Sequence, residues 1–376
     1  MDDLVDIAVV GAGPAGAATA LRALQLRPDA SVLLLDAAAF PRDKTCGDGV
    51  SAHAIELLGA LGVPSVANLG RAVPRLLLHS PGGRVVDRTC ARPNRVIPRA
   101  VLDAELVSAA VARGARLRRH RVRSAEILPD RVVLDGRIAA RVVVGADGAN
   151  STVRRLLDPP PAPPSAVAVA IRGYAPSPKD PDALVIEFAH QRYLAYAWSF
   201  PLAGGGANVG YGVFDRRGTG TRAELLAALR ELLPGQEPEP ETIRAHHLPL
   251  STAPRHQPDG RVLLAGDAAS LVNPLTGEGI FDAVASGALA GRAALLGSAA
   301  GAAHRGAMRR TFGRHHTHTG LLARLVPQGR FLDAAVTAAA RHQSVFDTAI
   351  DLGLGRGTAS LGALGRVAAS YATIGR

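Results

Sequence analysis

The chain has 376 residues, which is longer than a typical single domain and sufficient to enclose a large cofactor. Apolar residues make up 47% and charged residues 20% of it, a composition typical of folded globular proteins that excludes extensive disorder. The formal charge of +11 is almost entirely arginine, because lysine occurs only at Lys44 and Lys179. Since the arginines are scattered, we attribute the charge to compositional bias and predict no nucleic-acid partner, although a basic surface suits an anionic membrane or an acidic carrier protein.

The start of the chain and its cysteines indicate the compartment. Met1-Asp2-Asp3 contains no basic residue, and no stretch of about 18 uninterrupted apolar residues follows. We therefore expect a cytoplasmic protein with no secretory signal or membrane anchor, whose only contact with a membrane is peripheral. Cys46 and Cys90 are the only cysteines, which fits a reducing compartment. We predict no metal site.

The first predicted unit is a strand, a glycine turn, a helix and a second strand. Val5 to Val10 is apolar and rich in β-formers, Ala17 to Leu26 has helix-forming composition, and Ser31 to Leu35 is another apolar run that ends at Asp36. Because both strands are continuously apolar, the pattern predicts a parallel sheet covered on both faces.

The rest of the chain predicts a discontinuous domain with an insertion. Helices are predicted at 52–61, 98–112 and 221–233, β segments at 74–97, 115–144 and 165–250, and a last strand at 262–265, before an alanine-rich helical tail. Pro159 to Pro164 is the clearest boundary. We predict an α/β fold with a discontinuous Rossmann-like cofactor-binding domain (1–73, 95–160 and 255–300), an inserted β-rich substrate domain (74–94 and 161–254) and a helical C-terminal region (301–376).

The turn Gly11-Ala12-Gly13-Pro14-Ala15-Gly16 has the spacing of a dinucleotide-binding turn. In such a turn the first glycine permits a sharp bend, the second lets backbone N–H groups approach a pyrophosphate, and the third allows close helix packing. Asp36 lies 20 residues beyond Gly16, where a carboxylate accepts hydrogen bonds from ribose hydroxyls. The turn alone does not separate NAD from FAD.

Two downstream segments resemble the flavoprotein class that includes p-hydroxybenzoate hydroxylase. They begin at Ala146-Asp147-Gly148 and at Val262, the second containing Gly266-Asp267. The resemblance implies that Asp147, Gly148 and Gly266 belong to the cofactor site and that Asp267 binds the ribityl or ribose part of FAD. It makes the discontinuous Rossmann-like domain an FAD-binding domain. It also places an arginine near the cofactor at Arg99, for which a surface charge is the competing interpretation.

Four further segments resemble the geranylgeranyl reductase family. They are the cysteine-glycine loop Pro41–Gly49, the strand Tyr196-Ala197-Trp198-Ser199-Phe200-Pro201, the following Asn208-Val209-Gly210 with Gly212, and the loop Asn273–Ile280. The resemblance implies that Pro274, Gly277, Glu278, Gly279 and Ile280 lie at the flavin edge, where backbone N–H groups stabilise negative charge on the reduced ring.

The candidate catalytic residues are Cys46, Tyr196 and Trp198. Cys46 is a proton donor, a substrate-positioning group or simply a small residue tolerated in a tight loop. Tyr196, Trp198 and Phe200 alternate along one strand and face the same side of the sheet, so we predict that they line a substrate pocket, with core packing as the alternative.

The histidines are assigned no catalytic part. We expect His315, His316 and His318 to lie on a solvated helix face, and His246 and His247 to be structural. None of them enters the predicted site.

The leading functional hypothesis is FAD-dependent reduction of a carbon–carbon double bond in an isoprenoid or similar hydrophobic substrate. Because no second glycine turn has a strand-turn-helix context, electrons must come from an external reductant: NAD(P)H, a ferredoxin or a flavin reductase. The expected partners are a hydrophobic small molecule, a redox protein and a membrane surface. Alternatives are a monooxygenase acting on an aromatic or polyketide substrate and a flavin-binding electron shuttle; a halogenase is disfavoured because Trp198 is the only tryptophan.

Overall fold

The computed structural model describes residues 4–253 and 257–374. Residues 1–3, on which the prediction about a leader segment partly rests, and the predicted domain boundary between residues 254 and 255 lie outside the described residues. The strands are β1 (Val5–Val10), β2 (Val32–Asp36), β3 (Gly49–Val50), β4 (Arg71–His79), β5 (Val85–Val96), β6 (Arg116–Arg119), β7 (Ala125–Ile127), β8 (Val132–Leu134), β9 (Ile138–Gly145), β10 (Val167–Ala175), β11 (Ala183–Phe188), β12 (Ala195–Pro201), β13 (Ala207–Val213), β14 (Arg244–Pro249) and β15 (Val262–Leu264). The α-helices are α1 (Pro14–Leu26), α2 (Ala52–Ala60), α3 (Arg99–Ala112), α4 (Thr152–Leu156), α5 (Arg222–Leu232), α6 (Ile280–Ala294), α7 (Ala300–Leu325), α8 (Gly329–Arg341), α9 (Gln343–Leu354) and α10 (Leu361–Thr373).

The first sheet has seven strands in the order β6-β2-β1-β9-β8-β7, with β15 also paired to β9. Strand β1 is parallel to both β2 and β9, and β15 is parallel to β9. Helices α1 and α6 pack together beside this sheet, where the Thr19 hydroxyl donates to the carbonyl of Gly287 at 3.1 Å. The predicted Rossmann-like α/β architecture is confirmed. Helix α1 starts earlier than predicted because Pro14 occupies its first turn, where the missing N–H costs nothing.

The second sheet has eight strands in the order β14-β10-β13-β12-β11-β4-β5-β3. All its pairings are antiparallel except that between β11 and β4. Its strands therefore come from two parts of the chain, since β3–β5 precede β9 and β10–β14 follow it. It takes in β3 and reaches from Arg71 to Val96, beyond the predicted limits 74–94; the domain boundaries themselves stay predictions.

The C-terminal helices connect the two sheets. Helix α7 packs against α6 and β15 of the first sheet, whereas α8 and α9 pack on β5 of the second and α10 packs on α8 and α9. On the opposite face of the second sheet, Leu225 and Leu229 of α5 share a core with Ile171 and Val209. Within residues 4–253 and 257–374, none of the helices has the length and apolar character that crossing a bilayer requires.

Candidate active site

The glycine turn lies at the carboxyl end of β1, against the segment that follows β9. Gly11 has φ +96°, and a Cβ there would lie 2.6 Å from the carbonyl carbon of Ala146, so only glycine fits. The N–H of Ala12 donates to Asp36 Oδ2 at 2.9 Å. Helix α1 begins directly after Gly13, which provides no capping side chain, and its first turn contains no acidic residue. The N–H groups of this helix end are therefore oriented to receive an anion such as a pyrophosphate.

The predicted turn residues share this location. Gly16 packs against the carbonyl of Gly11, and Ala15 contacts Gly266 of the third predicted segment, where the two Cβ positions would be 3.0 Å apart. Gly13 faces Arg99, since a Cβ on Gly13 would lie 3.7 Å from its Nη2. The structure thus brings the three predicted cofactor segments together.

Arg99 is buried, which rules out its being a surface charge. Its Nε and Nη2 donate to the two carboxylate oxygens of Asp103 at 2.7 and 2.8 Å. Arg42 joins Asp103 (3.2 Å) to Asp36 (3.5 Å). A chain of alternating charges therefore runs from the predicted ribose carboxylate to Arg99, and it holds the arginine beside the turn.

Asp147 has a different geometry from the one expected of a direct cofactor ligand. Its carboxylate accepts the backbone N–H groups of Thr152 (2.6 Å) and Val153 (3.2 Å) and the hydroxyl of Ser151, so it caps α4. Gly148, with φ +78°, completes the turn. The structure assigns Asp147 to fixing this loop, and any contribution of its side chain to cofactor binding is indirect.

Asp267 lies among positive charges. Its Oδ2 is 3.4 Å from the ammonium of Lys44. Although burial opposes ionisation, the charges of Lys44, His246 and Arg99 hold the pKa of Asp267 below its usual value. Asp267 is therefore an ionised acceptor at neutral pH, as binding of ribose or ribityl hydroxyls requires. His246 lies on this wall too.

The loop from Asn273 to Gly279 leads into α6. Gly279 offers no capping side chain, while Glu278 Oε1 accepts the N–H of Phe281 at 2.7 Å. Burial raises the pKa of Glu278 to about 7, even though backbone N–H groups at the helix start favour its charged form. Burial, together with the charges of Glu278 and Asp267, raises the pKa of Asp282 well above its usual value. This end of the site therefore holds carboxyl groups that retain protons near neutral pH.

The aromatic strand β12 is matched to β13 residue by residue. Tyr196, Trp198 and Phe200 stand opposite Gly212, Gly210 and Asn208 respectively. A Cβ on Gly210 would lie 2.5 Å from Trp198 Cη2, so the glycine provides space for the indole ring. The indole Nε1 donates to Asn208 Oδ1 at 2.9 Å. The three aromatic side chains line one cavity, as predicted from their alternation.

The cysteine-glycine loop is tied to the second sheet by polar groups. Asn208 Nδ2 donates to the Cys46 carbonyl at 2.8 Å and to Asp48 Oδ2 at 2.9 Å, and the Tyr174 hydroxyl donates to Asp48 at 2.8 Å. Burial raises the pKa of the Cys46 thiol, despite the opposing charge of Arg99. Cys46 is thus a neutral thiol held against the cavity.

A cavity of about 430 Å³ extends from this site into the C-terminal region. Its polar end is lined by Lys44, Arg99, Asp267 and Glu278. One apolar wall is the face of the second sheet formed by Leu76, Leu78, Val86, Leu184, Ile186 and Phe188. The other is formed by the C-terminal helices and consists of Leu322, Val326, Phe331, Leu332, Val336, Phe346 and Val367. The cavity is therefore largely apolar, and its lining comes from the second sheet, the loops at the polar end and the C-terminal helices.

The last part of α9 contacts the loop from Asn273 to Gly279 directly. Asn273 Nδ2 donates to the carbonyl of Leu352 at 2.8 Å, and the Thr276 hydroxyl donates to that of Gly353 at 2.6 Å. The Tyr196 hydroxyl bonds the Thr276 carbonyl. The C-terminal region is consequently part of the site.

Residues 4–295 match the family described as the FAD binding domain. The chain is 35% identical over 311 residues to digeranylgeranylglycerophospholipid reductase 1 of Methanopyrus kandleri, covering 77% of this chain and 80% of that one. It belongs to the geranylgeranyl reductase family of FAD-dependent oxidoreductases. Menaquinone reductase of Mycolicibacterium smegmatis is 32% identical over 322 residues, covering 77% and 76% of the two chains. The crystal structure of a geranylgeranyl bacteriochlorophyll reductase-like protein from Thermoplasma acidophilum shares the fold, with a TM-score of 0.81, 20% identity and coverage of 99% and 98%.

In this geranylgeranyl reductase family member, sequence reasoning missed several residues that shape the site. Asp48 and Tyr174 fix the cysteine loop, and Arg172, although almost fully buried, bonds Asp43 and the Lys44 carbonyl at the polar end. Asp48 stands inside the quoted loop motif, and its φ of +61° marks a tight turn. Nothing in the local sequence around Tyr174 or Arg172 signals their roles, because their partners are more than a hundred residues away.

The prediction that His315 and His316 lie on a solvated face is wrong. Both are buried: His315 Nδ1 lies 2.8 Å from the Gly357 carbonyl, and the His316 ring stacks on Phe312 at 5.2 Å between centroids. His318 Nδ1 accepts the N–H of Ala359 at 3.0 Å. His315 and His318 join α7 to the segment before α10, which covers a helix face that the sequence alone leaves open.

Proposed function

We propose that this oxidoreductase reduces carbon–carbon double bonds in an isoprenoid chain. The observation that carries the proposal is the apolar cavity, whose lining runs from Cys46 and Gly279 to the second sheet and α8–α10. An apolar space of this kind binds a hydrocarbon chain by burial of area rather than by specific hydrogen bonds. The names of two relatives, digeranylgeranylglycerophospholipid reductase and menaquinone reductase, support the same reaction class.

The residues present fit FAD. The uncapped start of α1 would hold the pyrophosphate, Asp36 and Asp267 would accept hydroxyl groups, and the loop ending at Gly279 would face the ring. The cavity connects these groups, since Pro14, Arg99 and Asp267 line its polar end. When bound in its reduced form, FAD supplies the hydride that such a reduction requires.

Saturation of an alkene also requires a proton, which a side chain at the polar end must deliver. Of the exchangeable groups there, the Tyr196 hydroxyl is engaged with the Thr276 carbonyl, and the raised pKa of the Cys46 thiol makes it a weaker acid than an ordinary thiol. Glu278 has the carboxyl group whose pKa, about 7, matches the pH at which an acid donates most effectively. We propose that Glu278 holds this proton and that Cys46, Tyr196, Trp198 and Phe200 position the chain. One hydride and one proton then give the saturated bond.

Electrons must reach the cofactor from an external reductant: NAD(P)H, a ferredoxin or a flavin reductase. An anaerobic single-turnover experiment avoids the need to know which. The FAD-loaded enzyme is reduced with dithionite and mixed with geranylgeraniol or a geranylgeranyl lipid, and both flavin reoxidation and product mass are followed. We expect reoxidation to depend on the substrate and the product to gain two hydrogen atoms. An oxygenated product that forms only in air would instead establish the monooxygenase alternative. A flavin that cycles between its redox states but is not reoxidised by any prenyl substrate would indicate an electron shuttle.

A further inference from the structure

The far end of the apolar cavity lies near the surface, close to α7 and α10. It is lined by Leu322 of α7, by the following Val326, by Ala359 and by Ala363 and Leu364 of α10. Leu364 is also 40% exposed, so this end of the cavity lies at or next to the protein surface.

Exposed leucines lie near this end of the cavity. Leu321 and Leu325 on α7 are 54% and 40% exposed, and Leu361 at the start of α10 is 88% exposed. The segment just before α10 contacts α7, because the N–H of Ala359 donates to His318 Nδ1, one helical turn before Leu321. We call Leu321, Leu325, Leu361 and Leu364 the portal face. Large exposed apolar side chains grouped in this way mark an interaction surface.

The two helices that carry the portal face, α7 and α10, contain no acidic residue. No Asp or Glu occurs between Asp282 and Asp333, a stretch with seven arginines, and none occurs after Asp351. Along α7 the exposed side is occupied by arginines such as Arg309 and Arg314 and then by the portal leucines. An exposed helix side with arginines next to large apolar residues is suited to the interface of an anionic bilayer, with the apolar groups among the acyl chains.

We propose that the portal face rests on an anionic lipid bilayer and that the substrate chain enters the cavity from the membrane between α7 and α10. The proposal of a lipid contact rests only on the exposed leucines and the charge pattern. Entry of the substrate at this end of the cavity rests on the proposed function. An isoprenoid chain that moves directly from bilayer to cavity never exposes its length to water, which would otherwise oppose its transfer.

The first test is sedimentation of the FAD-loaded full chain with vesicles of phosphatidylcholine alone and of an equimolar mixture with phosphatidylglycerol. We expect binding to the anionic vesicles and a decrease at high salt. The variant Leu321→Glu/Leu361→Glu should bind them about tenfold or more weakly, since two leucines lose their burial in lipid. The matched control is Leu26→Glu/Leu296→Glu, which alters leucines that are 49% and 55% exposed elsewhere and should bind as wild type does.

The second test distinguishes binding through the portal face from attraction by the overall positive charge of the protein. Arg324→Ser/Arg356→Ser removes two positive charges beside the portal leucines, and Arg121→Ser/Arg123→Ser removes two beside the first sheet. At about 1 kcal/mol per arginine near the surface, the first pair should weaken anionic vesicle binding about thirtyfold, and the second should leave it unchanged. Equal losses from both pairs would show a general charge effect and overturn the proposal, as would absence of binding by the wild type.

Failure of the portal and failure of the proposed function give different results. If both hold, Leu321→Glu/Leu361→Glu loses turnover of a polyprenyl lipid in vesicles but keeps turnover of the same chain in detergent. If no prenyl substrate is reduced in either medium while vesicle binding is normal, only the proposed function fails. A dimer in light scattering that Leu321→Glu/Leu361→Glu converts to a monomer would assign the portal face to a second copy of the chain and overturn the lipid proposal.

Discussion

Gly210 provides the sharpest test of how the aromatic cavity wall is built. It stands opposite Trp198 in the pairing of β12 with β13. In Gly210→Ala the new Cβ would lie 2.5 Å from Trp198 Cη2 and 2.5 Å from the carbonyl oxygen of Ile171 on β10. Ordinary contact needs about 3.4 Å or more, so the indole must move by roughly 1 Å or rotate away.

The cost of this movement follows from the contacts that it breaks. Overpacking in a well-ordered core costs about 1–3 kcal/mol. A rotation of the indole also breaks the Trp198–Asn208 hydrogen bond, which contributes about 1 kcal/mol. Removing a glycine from a strand returns roughly 0.5–1 kcal/mol through the unfolded state. We therefore expect Gly210→Ala to lose about 1–3 kcal/mol of unfolding free energy.

Trp198 is the only tryptophan, so its fluorescence reports on this wall without interference from another indole. We expect a changed emission maximum in Gly210→Ala, a lower urea midpoint and weaker binding of a polyprenyl ligand. The control is Gly204→Ala in the loop between β12 and β13, where a Cβ would meet no atom within 4 Å. If Gly210→Ala matches the wild type in emission and stability, the packing argument is refuted.

Three further predictions concern the cofactor, the pH dependence and the cysteine loop. Gly11→Ala should abolish FAD retention, measured by flavin absorbance after reconstitution, because of its φ of +96°; Gly59→Ala, in open space on α2, should retain it. The pKa of Glu278 is raised to about 7, so its neutral carboxyl stabilises the folded state at low pH. This contribution to the unfolding free energy is lost as pH rises from about 4.5 towards 7. Relative to Glu278→Gln, the wild type should thus lose at most about 3 kcal/mol of unfolding free energy across that range, measured by urea unfolding. Unfolding free energies that change in parallel with pH in the two proteins would contradict a carboxyl that is buried in its neutral form. Asn208→Ala should cost about 2 kcal/mol and speed alkylation of Cys46, followed by mass spectrometry, since it removes the bonds to the loop; an unchanged alkylation rate would show that Asn208 does not restrain it.

Local patterns predicted the parts of the molecule whose conformation depends on neighbouring residues. The apolar runs of β1 and β2 and the glycine spacing between them are enough to predict a βαβ unit with an anion-binding helix start, because each glycine meets a local backbone requirement. Alternation along β12 likewise predicted that Tyr196, Trp198 and Phe200 share one face, since strand geometry fixes the direction of successive side chains. These interpretations required no knowledge of distant contacts.

The tertiary structure decided what depends on register and on packing between distant segments. The pairing of Trp198 with Gly210, the bonds from Asn208 and Tyr174 to the cysteine loop and the burial of His315 each join segments that the chain brings together only on folding. The same is true of the cavity, because one wall is a sheet face and the other is α8–α10, and neither encloses a volume by itself. The sequence by itself predicted that a dinucleotide binds at the end of β1 and determined, through its motifs, which family the chain belongs to. Only the folded chain determined which segments line the cavity at the predicted cofactor site and how apolar it is, since the packing of helices on a sheet is non-local.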